Sequence, residues 1–217
     1  MITTVHTNQT ELLKNLMELY SIEAFDLDPC YSKGNFYKDL PQPKLACDIA
    51  PQFDFVVEAD ASKLILPEGT LSSIIFDPPF LATKGPSLGV PGANNLIAQR
   101  FTVFPTEQEL FKFYLRCMSR FYIGLKKGGI LVFKCQDKVS GGKQYMSHCI
   151  IYEMALSLGF YPRDLFVLVN ENKMLGKWAK GEQFHAYKTH SYFWVFEKVK
   201  PRVTLDNLLK GEKDEQK

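Results

Sequence analysis

The tetrapeptide Asp77-Pro78-Pro79-Phe80 has the residue types best suited to chemistry in this sequence. The carboxylate of Asp77 and the backbone carbonyl of Pro78 can both accept hydrogen bonds from an amine, and two such acceptors draw its lone pair out of conjugation with a planar ring. The two prolines fix φ and keep the turn rigid, while Phe80 offers a ring face on which a planar base can stack. The pattern therefore indicates a reaction at a conjugated amine that depends on orientation and electrostatics, without a covalent enzyme intermediate. The alternative is a structural Pro-Pro turn that closes a strand.

Four acidic residues, including the one that opens this turn, each follow a predicted strand. An apolar, β-branched run over residues 72–76 leads directly into Asp77, and shorter runs lead into Asp28, Asp48 and Asp60. Such runs, bounded by turn residues, are typical of strands in a buried parallel sheet. Because open α/β sheets bind ligands beyond the carboxyl ends of their strands, we expect the four carboxylates to line one crevice. Taken singly, each acid is more typical of a solvated loop.

The rest of the chain supplies helices that alternate with the strands. We expect one helix to begin at Asn8 with Glu11 as its capping partner, and a second to begin at Thr106 with Glu109 and to end at Gly128-Gly129. The remaining predicted elements are a helix over residues 147–158 and strands over residues 24–27, 45–47, 55–57, 130–133, 165–169 and 191–197. Alternation of this kind predicts an α/β fold with helices on both faces of the sheet.

Composition and length favour one intracellular domain. The 217 residues are 46% hydrophobic, which is enough to bury a core. We expect a single domain over residues 1–200 and a charged tail over residues 201–217. A net charge of +2 excludes a protein held to DNA by bulk charge alone, but it does not exclude a local basic patch. Five widely spaced cysteines and the lack of any apolar run near the ~20 residues of a membrane span indicate a cytoplasmic protein with reduced thiols. The histidines lack metal-ligand spacing, so no metal site is assigned.

Two irregular stretches combine basic residues with aromatic or amide side chains. The first covers residues 81–105 and the second residues 170–190, and basic residues interleaved with aromatics suit phosphate contact and base stacking. We therefore expect nucleic-acid contacts from seven residues: Lys84, Arg100, Lys173, Lys177, Trp178, Lys180 and Lys188. A solvated surface loop with one anchoring tryptophan is the alternative for the second stretch.

The motifs resemble those of a known family. Asp77-Pro78-Pro79-Phe80 is similar to the catalytic motif of the amino-methyltransferases of nucleic acids, in which Asp or Asn is followed by two prolines and an aromatic residue. The stretch from Asp28 to Gly34 is similar to the cofactor signature Asp-Pro-Phe-x-Gly-x-Gly, with Cys30 in place of Phe and Ser32 in place of the first Gly. The cofactor signature precedes the catalytic motif, as in the gamma type of the adenine-directed enzymes. Asp at the head of the motif favours adenine over cytosine.

This resemblance implies a Rossmann-like methyltransferase fold, with a mainly parallel seven-stranded sheet and a C-terminal antiparallel hairpin. It implies S-adenosylmethionine as cofactor, with Asp48 on its ribose and Asp60 at its adenine amine. The implied catalytic residues are Asp77, Pro78, Pro79 and Phe80, and the implied cofactor-binding residues are Asp28, Pro29, Cys30, Tyr31, Lys33, Gly34, Asp48, Asp60, Ala61 and Asp77. The implied activity is methylation of a base amine, with adenine in DNA as the favoured substrate.

Several alternatives stay open on the sequence alone. The same chemistry would suit adenine in RNA, cytosine, or a glutamine amide of a protein, because each presents a planar conjugated nitrogen. A binding module that keeps the fold without transferring a methyl group is the alternative from another class, and the altered glycine-rich loop is its only support. The chain has no room for a separate target-recognition domain, so sequence recognition would come from loops, a separate specificity partner or a homodimer.

Overall fold

The computed structural model describes residues 1–82, 104–170 and 184–199. The strands are β1 (Val5–His6), β2 (Leu27–Asp28), β3 (Leu45–Asp48), β4 (Val57–Glu58), β5 (Leu71–Phe76), β6 (Leu125–Cys135), β7 (Lys138–Ser140), β8 (Lys143–Tyr145), β9 (Phe160–Val169) and β10 (His190–Lys198). The helices are α1 (Gln9–Leu19), α2 (Glu107–Gly124) and α3 (Ser147–Leu158), and short 3-10 helices cover Asn35–Tyr37 and Ala61–Lys63. The expected charged tail over residues 201–217 lies outside the described residues, so the predicted domain boundary stays a prediction.

Eight strands form the main sheet, in the order β1-β9-β10-β6-β5-β2-β3-β4. Only β10 runs antiparallel to its neighbours, β6 and β9, and every other pairing is parallel. The α/β class, the mainly parallel sheet and the C-terminal antiparallel hairpin of β9 and β10 are confirmed. The predicted number of seven strands is wrong, because β1 adds an eighth at the edge by pairing with Val167 and Leu168. Two residues are too few to show the alternation by which a strand is recognised in sequence.

A second, two-stranded sheet was not predicted. Strands β7 and β8 form an antiparallel hairpin, with Lys138 opposite Tyr145. Gly141 and Gly142 at its turn both have positive φ, at 57° and 73°, which glycine adopts without steric cost. A Gly-Gly pair between two short polar strands is a hairpin signal in the sequence.

Side-chain caps fix where two of the helices begin. Asn8 accepts a hydrogen bond from the Glu11 amide at 3.0 Å and Thr106 from the Glu109 amide at 3.1 Å, so both predicted starts are confirmed. The predicted end of the second helix is wrong, because α2 stops at Gly124 and β6 begins at the next residue. The register of β6 against β5 then jumps past Gly128-Gly129, so the glycines lie in a strand irregularity instead of a helix cap.

The sheet is covered on both faces, as expected. Side chains of α1 pack with Ile75 and Val132 in one buried cluster. Side chains of α2 and α3 pack with the neighbouring residues Phe76 and Phe133 in the other cluster. Alternate residues of β5 and β6 thus point to opposite cores, which explains the continuous apolar runs over residues 74–76 of β5 and 130–133 of β6. Among the described residues, no helix is long and apolar enough to cross a membrane.

Candidate active site

The four acids that were predicted to share a crevice follow four neighbouring parallel strands. Asp28 and Asp48 are the last residues of β2 and β3, Asp60 lies two residues beyond β4, and Asp77 follows β5. Because β5, β2, β3 and β4 are consecutive in the sheet and parallel, their carboxyl ends meet at one edge. Asp48 and Asp77 both add to the negative potential at Asp28, so these three carboxylates lie near one another.

Asp77 holds an ion pair that the sequence did not reveal. Its Oδ2 lies 3.0 Å from Nζ of Lys134, and the side chains of Lys134 and Asp77 are 21% and 35% exposed. Lys134 belongs to β6, and its ammonium lies 5.0 Å from the ring centre of Phe36 and 5.6 Å from that of Phe193. The carboxylate is therefore partly exposed at this edge of the sheet, and its Oδ2 is held by the ammonium of Lys134.

The turn that carries Asp77 is anchored at its backbone. The carbonyl of Pro79 accepts a hydrogen bond from the hydroxyl of Tyr114 on α2 at 2.9 Å, and Nζ of Lys138 donates to the carbonyl of Phe80. Burial raises the pKa of Tyr114 well above its usual value, so the phenol stays neutral and keeps its proton as donor. Pro78 is buried beneath the turn. Phe80 is 37% exposed, so this residue is partly accessible.

Asp28 lies beneath the loop that follows β2 instead of projecting from it. It is 2% exposed. Its Oδ1 accepts the Cys30 amide at 3.0 Å and its Oδ2 accepts the Tyr37 hydroxyl at 2.7 Å. Burial, with a smaller contribution from the charges of Asp77 and Asp48, raises the pKa of Asp28 to about 7. The carboxyl group thus shapes the loop from below and carries only part of its charge at neutral pH.

The loop over residues 28–34 contains two left-handed positions. Ser32 has φ of 50° and Gly34 has φ of 63°. Ser32 stands where the resembled signature has glycine, so the loop keeps a left-handed turn there without one, and its amide donates to Oδ2 of Asp48 at 2.7 Å. At Gly34 a side chain would not fit, since a Cβ would lie 2.4 Å from the Tyr31 hydroxyl oxygen.

Neighbouring aromatic rings hold the loop. The rings of Tyr31 and Tyr37 stack with centroids 5.3 Å apart. Phe53 and Phe55, both exposed, contact the edge of the Tyr31 ring. Ile49, directly after Asp48, is exposed as well. These three residues form an exposed apolar surface that the sequence analysis did not predict. The signal was present in the sequence, because three large apolar residues follow an acid at a strand end within seven positions.

The other acids mainly bind the backbone. Oδ1 of Asp48 accepts the Ala50 amide at 2.9 Å. Asp60 caps the 3-10 helix that begins with Ala61, accepts the amide and hydroxyl of Ser62, and pairs with Lys63 at 3.1 Å. Burial opposes the charge of Asp60, but these donors outweigh it and lower its pKa.

The remaining candidate cofactor residues differ in accessibility. Pro29 and Ala61 are buried, Cys30 is half-buried and Lys33 is exposed. Burial raises the pKa of Cys30 well above its usual value, so this thiol is a packing residue.

Of the seven residues predicted to contact nucleic acid, only Lys188 is among the described residues. Lys84, Arg100, Lys173, Lys177, Trp178 and Lys180 lie outside the described residues. Lys188 lies just before β10, and the amide group of Gln136 donates to its backbone carbonyl at 3.4 Å and to that of His190 at 3.1 Å. Because Gln136 directly follows β6, these bonds bring Lys188 to the same edge of the sheet as Asp77.

Two cavities lie along α2. One of about 330 Å³ is bordered by Ala82, Thr106 and the β7–β8 hairpin, and one of about 480 Å³ lies between α2 and α3. Glu107 borders both, and its carboxylate lies 2.7 Å from Nζ of Lys138. Neither cavity is lined by the four acids.

Comparison with known proteins yields structures only. No protein-family profile and no curated protein sequence matches the chain. A candidate DNA modification methylase from Thermus thermophilus aligns over 71% of this chain and 59% of its own length, at 16% identity and a TM-score of 0.46. The PvuII DNA methyltransferase, specific for cytosine N4, aligns over 70% and 52%, at 17% identity and a TM-score of 0.47. A SAM-dependent methyltransferase from Archaeoglobus fulgidus aligns over 87% and 94%, at 17% identity and a TM-score of 0.46.

This chain spans about three fifths of the length of the Thermus protein. At these identities and TM-scores, none of the matches assigns the chain to a family.

Proposed function

We propose that this protein transfers a methyl group from S-adenosylmethionine to the exocyclic amine of a nucleic-acid base, with adenine in DNA as the favoured substrate. The observation that carries the proposal is the position and accessibility of the Asp77 carboxylate. It opens a rigid Pro-Pro turn at the carboxyl end of β5, is 35% exposed, and is held by Lys134. A carboxylate buried among packed side chains could not receive a base, whereas this one is accessible.

The residues at the ends of β2, β3 and β4 suit the cofactor. The loop over residues 28–34 follows β2 at the same edge of the sheet as Asp77 and has left-handed backbone at Ser32 and Gly34. Asp48 and Asp60 are acids of the kind that bind ribose hydroxyls and an adenine amine. The exposed Ile49, Phe53 and Phe55 offer apolar surface to a purine ring. When bound, the cofactor supplies a methyl group on a sulfonium centre as the electrophile.

Asp77 and its turn would act on the target amine. Oδ2 of Asp77 is committed to Lys134, so Oδ1 and the Pro78 carbonyl are the two acceptors for the amine hydrogens. Lys134 is thus a positioning residue, which fixes the carboxylate plane without touching the amine. The stack on Phe80 would hold the base, and the catalysis is one of orientation. Lys188 at the same edge supplies positive charge for a phosphate.

The substrate and the cellular compartment are proposed from the residues alone. Adenine is favoured because the motif begins with Asp, and the same site would suit adenine in RNA, cytosine or a protein amide. The five free cysteines favour a reducing compartment such as the cytoplasm. Target recognition would come from the two basic loops, a separate partner or a second copy of the chain.

The test is methyl transfer with labelled cofactor to DNA, to RNA and to protein, followed by identification of the labelled product. We expect N6-methyladenine in DNA. Asp77→Ala should lower the rate by at least ~100-fold, the usual cost of losing an electrostatic catalytic group. Glu68→Ala is the matched control, because Glu68 is an exposed acid away from the turn. Label on another substrate would reassign the substrate, and full activity of Asp77→Ala would refute the mechanism.

The alternative is a binding module without methyl-transfer activity, which calorimetry together with the transfer assay would identify. It would bind cofactor or nucleic acid and leave all substrates unlabelled. Absence of cofactor binding at millimolar concentration would contradict the cofactor assignment itself.

A further inference from the structure

Three side chains outside the proposed site form a chain of hydrogen bonds from a buried acid to an exposed thiol. Oδ1 of Asp137 lies 2.8 Å from Nδ1 of His148, and Nε2 of the same ring lies 3.3 Å from Sγ of Cys149. Asp137 is 4% exposed, whereas Cys149 is exposed. Nucleophile, base and orienting acid in this order are the arrangement that activates thiols in proteins.

The imidazole of His148 is fixed from several sides. Its backbone amide donates to the same oxygen of Asp137 at 3.2 Å, and its carbonyl accepts the Trp194 indole N–H at 3.0 Å. The ring of Tyr192 stacks on it with centroids 4.3 Å apart. Because a carboxylate only accepts hydrogen bonds, Nδ1 carries the proton and Nε2 presents its lone pair to the thiol. The ring can therefore receive the proton of Cys149.

Cys149 differs from the other four cysteines. Cys47, Cys117 and Cys135 are buried and Cys30 is half-buried. Burial raises the pKa of each of these four thiols. Cys149 is the third residue of α3, where the amino end of a helix favours negative charge. Among the described residues, Tyr192 and Cys135 also interact electrostatically with Cys149.

We propose that Cys149 is an activated thiol that exchanges with small disulfides, with His148 as its base and Asp137 as a positioning residue. The thiol proton passes to Nε2 of His148, and the thiolate attacks one sulfur of the disulfide. A new S–S bond forms to Cys149 as the old one breaks. The departing thiolate takes the proton from the imidazolium, so the protein keeps a mixed disulfide and one small thiol is released. This inference does not depend on the proposed methyl transfer.

The test is the reaction of the native protein with a chromogenic aromatic disulfide at neutral pH, with glutathione as reference thiol. We expect one thiol per chain to react at least about tenfold faster than glutathione, a threshold below the ~10²–10⁴-fold that a positioned base typically contributes. Cys149→Ser should abolish this fast phase, and His148→Gln should reduce it to the rate of glutathione. His190→Gln is the matched control, because that imidazole contacts Tyr192 instead of the thiol, and its rate should stay close to that of the wild type.

A pH series separates activation from damage to the fold. Above the ordinary thiol pKa of about 8.5 the thiolate forms without a base, so the rates of wild type and His148→Gln should converge there. Asp137→Asn should give an intermediate rate that also converges. A wild-type rate no faster than glutathione overturns the proposal, as does a fast phase that survives in Cys149→Ser. Equal wild-type and His148→Gln rates at neutral pH overturn it as well, because the thiol would then be an ordinary exposed one.

Discussion

Replacement of Asp28 by asparagine should remove a large pH dependence of stability. The carboxyl group is buried beneath the loop over residues 28–34, and burial raises its pKa from 3.8 to about 7. The native state therefore keeps a proton that the unfolded chain releases above pH ~4. The stabilising contribution of the protonated group is complete below that value and is lost as pH rises to about 7.

The size of the effect follows from the separation of the two pKa values. Each pH unit between them changes the free energy of unfolding by about 1.4 kcal/mol, and roughly three units give on the order of 4 kcal/mol. The substituted asparagine side chain would stay neutral throughout. It can accept from only one of the two donors that now bind Asp28, the Cys30 amide and the Tyr37 hydroxyl, at a cost of about 1–3 kcal/mol that does not vary with pH.

Urea unfolding of both proteins at several pH values from about 5 to about 8, a range that spans most of this titration, measures the difference. Across the series, we expect the free energy of unfolding of Asp28→Asn to rise relative to that of the wild type by about 2–3 kcal/mol, while titrations elsewhere cancel. Asp26→Asn is the control, because the Asp26 carboxyl is ionised in both the folded and the unfolded chain over this range, so its difference from the wild type should not vary with pH. Burial opposes the charge of Asp26, but Lys44 and the backbone amides of β5 outweigh it and lower its pKa. Parallel pH curves for Asp28→Asn and wild type would refute the assignment of a buried, protonated acid.

Three further substitutions probe the loop and the turn. Gly34→Ala should destabilise the protein by more than ~1 kcal/mol in urea unfolding, because φ is 63° and the new Cβ would meet the Tyr31 hydroxyl. Ser32→Gly should stabilise it by up to ~1 kcal/mol in the same assay, since φ of 50° strains a residue with a side chain. Lys134→Met should lower kcat for methyl transfer by roughly 10–100-fold with little change in KM, and Lys134→Arg should restore part of it. An unchanged kcat in Lys134→Met would mean that Asp77 needs no positioning.

The parts of the fold that were predicted correctly are those specified by local sequence. The caps at Asn8 and Thr106 depend on a side chain and an amide three residues apart, so they are visible in any short window. Residues 74–76 of β5 are all apolar because both faces of this part of the strand are buried. The errors came where neighbouring strands decide the outcome. Gly128-Gly129 resembles a helix end, yet the residues before it pair with β5 and extend β6 back to Leu125.

Part of the candidate site could likewise be predicted from the sequence, and part could not. The order of acids after consecutive strands could be predicted because parallel strands bring their carboxyl ends to one edge. What each acid binds could not be predicted, since it depends on groups distant in sequence. Asp28 receives the hydroxyl of Tyr37, and Asp48 receives the amide of Ser32, from a loop whose path the residue types alone do not give.

The ion pair between Lys134 and Asp77 could be identified only from the structure. Lys134 is separated from Asp77 by 57 residues, and in sequence it is one polar residue at the end of an apolar run. The contact arises because β5 and β6 are neighbours with Phe76 opposite Phe133, so the next residue of each strand lies at the same height on the edge. An exposed carboxylate without a partner takes several orientations, and an acceptor that changes orientation does not hold an amine lone pair in one direction. The pairing of Asp77 with Lys134 thus supplies the fixed orientation that the proposed catalysis by positioning requires.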